Sequence, residues 1–144
     1  LIFLNTEAKN WEKILPFTVA HEFAHSVSEY YGGGDYNLGQ GLIFEGLAEH
    51  FRETVLGGEP APFSKAINEK EILNNLEKIK NKMEINDLNL HFEIFFGQGE
   101  NYPLWAGYTI GYYLVGKYLE DKKDVDWKVL LRKNPTDILK EVLK

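Results

Sequence analysis

The stretch "VAHEFAHSV", residues 19–27, decides how the rest of the chain is read. His21 and His25 are four residues apart, and Glu22 directly follows the first. On a helix, positions i and i+4 are neighbours on one face, so both imidazoles can converge on one ion. Glu22 lies about a quarter turn away. It can reach a water on that ion without binding the ion itself. Val19, Ala20 and Ala24 around the pair are small and apolar, as on a packed helix.

The pattern needs a helix to work, and the flanking sequence supplies one. Pro16 suits a first helical turn, and Phe17, Ala20, Ala24, Val27 and Tyr31 repeat at helical spacing. This predicts a helix over residues 16–31, stopped by "GGG" at 32–34. A second helix is expected over 41–56, with Phe44, Leu47, Phe51 and Val55 on one face. Ser64 is the expected cap of a third, charged helix over 65–83. "LHFEIFF" (90–96) alternates and reads as a strand, as does "LIFLN" (1–5). A fourth helix is expected over 104–121, with Gly107 and Gly111 on one face for close helix approach. Asp126 caps a short helix, and Asn134–Pro135 opens the last one. The predicted fold class is α+β, mainly helical, in a single domain over residues 1–144.

Composition narrows the function classes. The chain has 144 residues, 44% hydrophobic and 26% charged, in line with one globular domain. Twenty-two acids against 16 bases give a net charge of −6, which disfavours nucleic acid as a partner. There is no cysteine, so disulfides and thiolate metal sites are excluded and any metal must use histidine and carboxylate. No apolar run is long enough to span a membrane. The chain opens on Leu1, and the expectation is a piece excised from a longer protein. Compartment stays open between cytoplasm and a secreted or surface-attached protein.

A catalytic zinc site takes three protein ligands and leaves one position open for water. Glu29 continues the i, i+4 series, but on a straight helix it would lie about 12 Å along the axis from His21. A third histidine six residues beyond His25 would complete a different peptidase pattern, and Tyr31 stands there. The second helix offers Glu45, Glu49 and His50. Glu45 sits in "LIFEGLA", where an acid is expensive unless paired or bound to metal. Glu49 can pair with Arg52.

"HEFAH" followed by "EGLAEHF" resembles the gluzincin peptidases, the clan of thermolysin and aminopeptidase N. With "TVAHEFAH", "FEGLAEHF" and "YPLWAGYTIGYYLVGKYL" together, the chain resembles more closely the YjaZ-like family of predicted zinc-dependent proteases. The resemblance implies a zincin-like catalytic domain lacking part of its N-terminal sheet. It implies Glu45 as the third zinc ligand beside His21 and His25, and Glu49 as the carboxylate that orients a ligand histidine. It implies peptide hydrolysis, with Glu22 taking a proton from the zinc-bound water. A tyrosine that stabilises the transition state is implied downstream, Tyr108 first and Tyr112 second, against a plain core role for both. "LIFLN" would be the edge that holds an extended substrate, or the remnant of a larger sheet. His50 departs from the family, which more usually has an aromatic residue there, and His91 reads as structural. The expected cofactor is Zn²⁺ and the expected partner a peptide or protein substrate. The alternative is a catalytically inactive zinc-bound module that binds peptide or protein.

Overall fold

The computed structural model describes residue 7, residues 9–32 and residues 35–144. Among these the chain is helical, in the order α1 (Trp11–Ser26), α2 (Leu38–Leu56), α3 (Glu69–Ile79), α4 (Leu88–Phe96), α5 (Ala106–Leu119), α6 (Trp127–Leu130) and α7 (Pro135–Val142). Short 3₁₀ turns at Pro62–Lys65 and Lys80–Lys82 flank α3. No strand occurs among the described residues. The expected "LIFLN" strand lies outside them.

Helix α2 is the central element, packed against α5, α1 and α7. Asn37 starts it with a reciprocal cap: its side chain accepts from the Gln40 amide, and the Gln40 side chain accepts from the Asn37 amide. The helix therefore begins three residues before the apolar pattern suggests. Leu42, Ile43 and Ala48 are fully buried, together with Ile94 and Phe95 of α4, Ile110 and Val115 of α5, and Ile138 of α7.

Helices α2 and α5 meet backbone to backbone. A Cβ built on Gly46 would overlap the Gly111 carbonyl, and one built on Gly111 would overlap the Leu42 carbonyl. The approach foreseen for Gly111 is thus made, with Gly46 as its counterpart. Gly107 instead lies on the Phe95 ring, whose atoms would be 2.8 Å from an added Cβ.

Three expected elements are corrected. "LHFEIFF" is helix α4, not a strand. Asp87 caps it through the Asn89 and Leu90 amides, and Gly97 ends it in the left-handed conformation. Leu90, His91, Ile94 and Phe95 then share one helical face, a repeat that the alternation of Leu90, Phe92, Ile94 and Phe96 obscures. The third helix starts at Glu69, because Asn68 and Glu71 form a capping box; Ser64 does not cap it. Helix α1 runs from Trp11 to Ser26 with Pro16 inside it, rather than from 16 to 31. The helical ladder ends with the Val27 amide on the Phe23 carbonyl at 3.2 Å, and the Ser28 amide turns instead to the His25 carbonyl at 3.1 Å. Tyr31 is thereby freed from the helix.

Replacing Gly46 with alanine forces α2 and α5 apart. The expected loss is about 2–3 kcal/mol of stability, the upper range for overpacking. Urea denaturation checks it, and a midpoint at the wild-type value would show that the contact is not tight.

Candidate metal centre and cavity

Helix α1 presents His21 and His25 to Glu45 of α2. The two Nε2 atoms are 3.0 Å apart. Glu45 Oε2 is 3.2 Å from His21 Nε2, and Oε1 is 3.6 Å from His25 Nε2. Zinc bonds near 2.0–2.1 Å in a tetrahedron place ligand atoms about 3.3 Å from one another. Each pair of these residues therefore meets near that separation, with one Glu45 oxygen toward each histidine. Two imidazoles and a carboxylate are also the donor chemistry zinc takes at a catalytic position. Residues and spacing fit the ion.

Glu49, one turn beyond Glu45, accepts from His21 Nδ1–H at 2.7 Å. A carboxylate only accepts, so Nδ1 carries a proton toward Glu49, while Nε2 faces Glu45 and His25. The other Glu49 oxygen accepts from Arg52 Nε and from the Ser64 hydroxyl, each at 3.2 Å. Arg52 continues to Glu53 at 3.2 Å and to the Glu59 carbonyl at 3.1 Å. All three polar side chains are buried: Glu49 is 2% exposed, Arg52 4% and Ser64 1%. Among the described residues no buried side-chain polar atom lacks a partner.

Beside the donors opens a cavity of about 650 Å³, walled mainly by apolar groups that include Phe17, Phe63, Trp105 and Tyr108. His21 and Glu22 are on its wall, and Glu22 is exposed there. The Tyr108 ring is held 5.0 Å from Phe63 and 5.1 Å from Phe95. Burial, reinforced by the Glu45 charge, pushes its hydroxyl pKa up. Tyr108 therefore remains an O–H donor at ordinary pH.

Residues 1–140 match the family described as "Predicted Zn-dependent protease (DUF2268)". The chain belongs to this family. Uncharacterized protein YjfC of Bacillus subtilis (strain 168) is 26% identical over 131 residues, covering 82% of this chain and 44% of that protein. The chain thus spans less than half the length of this relative. No solved structure gives a significant match.

Tyr112, the second tyrosine expected in this DUF2268 chain, and three residues not assigned to the site lie as follows. Tyr112 does not line the cavity. Its hydroxyl donates to Glu53 at 3.0 Å and its ring stacks on His50 at 4.3 Å. His50 Nε2–H donates to the Tyr112 carbonyl at 3.0 Å, which places it in the α2–α5 contact and away from the metal donors. Glu29 is exposed beyond the end of α1. His91 stacks on Phe95 at 4.1 Å, and burial lowers its pKa.

Three residues at the site were not foreseen. Tyr31 lies flat on His25, ring centres 4.1 Å apart. Ser64 looked like a helix cap. Phe63 gave no signal, because its place depends on a turn bolted to α5: Thr109 Oγ1 donates to the Phe63 carbonyl and accepts from the Ala66 amide. Arg52 was visible only as a partner for Glu49, and it fills that role while Glu49 also holds His21.

The protonation of His21 and Glu45 sets a pH signature for the metal-free chain. For His21, burial is the largest influence and lowers the pKa, but hydrogen bonds and charges from Glu45 and Glu49 outweigh it and raise the pKa to about 9. For Glu45, burial raises the pKa, and His21 and His25 outweigh it, lowering the pKa to about 2. The His21 contribution to stability is full below its unfolded value of about 6.5 and is lost as pH rises through about 9. The Glu45 contribution is full above about 4.5 and is lost as pH falls through about 2. Chelator-treated protein should therefore be most stable between about pH 4.5 and 6.5 and weaken toward pH 9. Added zinc should raise the midpoint progressively more over that upper range, since it competes with the His21 proton. Thermal unfolding with and without zinc reads this directly; a metal-free midpoint that climbs toward pH 9 contradicts it.

Proposed function

We propose that this chain is the catalytic part of a zinc-dependent peptidase of the gluzincin type, zincin-like in fold. His21, His25 and Glu45 are its zinc ligands. The observation that carries the reading is the convergence of these three donors beside a cavity that Glu22 also faces. A bound zinc ion supplies Lewis acidity at that point, acidifying a water and polarising the substrate carbonyl.

Glu22 accepts a proton from the attacking water and delivers it to the leaving amine. Its exposure on the cavity wall suits both transfers, because it reaches solvent and substrate alike. Glu49 keeps the proton of His21 on Nδ1 and so keeps Nε2 available to the metal. Tyr108 donates its O–H to the negative charge that develops on the carbonyl oxygen. The apolar cavity wall receives substrate side chains. Tyr112 has no part, its hydroxyl being held by Glu53.

Glu22→Gln should retain one zinc per chain and lose about 10²–10⁴-fold in peptide hydrolysis. Metal analysis beside a fluorogenic peptide assay separates the cases. Undiminished hydrolysis removes Glu22 from its role as base. Zinc uptake by the wild type with no cleavage across a peptide library favours a peptide-binding module.

Tyr108→Phe should lower kcat by about 10²-fold and leave KM and zinc content unchanged. Wild-type kcat would return Tyr108 to a purely packing role.

A further inference from the structure

Resting on the zinc reading, we propose that Arg52 and Ser64 are positioning residues for the metal centre, acting through Glu49 on His21.

A carboxylate on a long side chain can turn about its last torsion and present either oxygen. Glu49 cannot do so freely. Arg52 Nε and Ser64 Oγ both meet Oε2 at 3.2 Å, which fixes the plane of the carboxylate. Oε1 is left for His21 Nδ1 at 2.7 Å. The orientation of the His21 ring, and so the aim of its Nε2, follows from two donors that touch neither the ring nor the metal position.

Both donors are themselves anchored. Arg52 is held by the Glu53 side chain and the Glu59 carbonyl, and its guanidinium lies 5.3 Å from the centre of the Phe17 ring. Glu53 is held in turn by Tyr112 at 3.0 Å. Ser64 sits in the Pro62–Lys65 turn, which Thr109 grips on both sides, at 2.8 Å to the Phe63 carbonyl and 3.1 Å to the Ala66 amide. Near-complete burial keeps water from replacing either donor. The segment that forms one cavity wall, residues 59–63, is thus fastened to the same carboxylate that aims a metal ligand.

Loss of an outer partner of a metal ligand typically weakens metal binding by about 10–100-fold. Ser64→Ala is the cleaner variant, since it removes one hydroxyl and leaves Arg52 on Glu49. Its zinc dissociation constant, read by competition with a chromophoric chelator, should rise about tenfold. The metal-free unfolding midpoint should stay near wild type. Arg52→Met should weaken zinc binding further, toward the upper end of that range. Cobalt-loaded Ser64→Ala should also show altered ligand-field bands in its visible spectrum. If Arg52→Met does not fold, Ser64→Ala decides alone. An unchanged zinc constant in Ser64→Ala, beside a wild type that binds zinc, overturns the assignment, even if the midpoint falls. A wild type that takes up no zinc sinks the metal reading and this assignment with it.

Discussion

A row of carboxylates runs down the central helix α2, and each needs a positive or hydrogen-bonding partner. Glu45, Glu49 and Glu53 recur every four residues on α2, one above another. An unpaired buried carboxylate is penalised by several kcal/mol, enough to consume much of a domain's stability. The surrounding elements supply the partners. Helix α1 brings His21 and His25 to Glu45, and His21 also serves Glu49. Arg52 bridges Glu49 and Glu53, and α5 sends Tyr112 to Glu53. The packing of α1 and α5 on α2 is therefore electrostatic as well as apolar.

The same arrangement explains why the two ends of this row differ in what they can bind. Glu45 has only imidazoles as partners, and imidazoles can exchange a proton for a metal ion. Glu53 is satisfied by a guanidinium and a phenol, neither of which does so at ordinary pH. Glu49, between them, holds a partner of each kind. The capacity to trade a proton for a metal ion thus falls along the helix as the partners become harder to deprotonate.

How much of this the sequence discloses depends on the range of the interactions. The His21, Glu22 and His25 pattern is local, and two of the helix starts are local too: Asp126 and Asn134. Glu45 is visible as an acid out of place in an apolar run. Errors arise where one residue has two uses. Ser64 has the chemistry of a cap and is spent on Glu49, while Asn68 forms the stronger capping box. "LHFEIFF" carries both a two-residue and a helical repeat, and Asp87 with Gly97 selects the helix. Tyr31 and Phe63 approach the site through turns whose paths are set by contacts distant in sequence. No pattern within their own segments encodes that.

The backbone contact between Gly46 and Gly111 limits how the cavity can be remodelled. Where two helices already touch main chain to main chain, trimming neighbouring side chains cannot bring them closer, and enlarging them can only prise them apart. The spacing from Glu45 on one helix to Tyr108 on the other is in that sense machined rather than adjustable. An engineer seeking a wider or differently shaped cleft would leave this joint alone and change side chains on the proline-rich segment at residues 59–63, keeping the backbone there that holds Arg52.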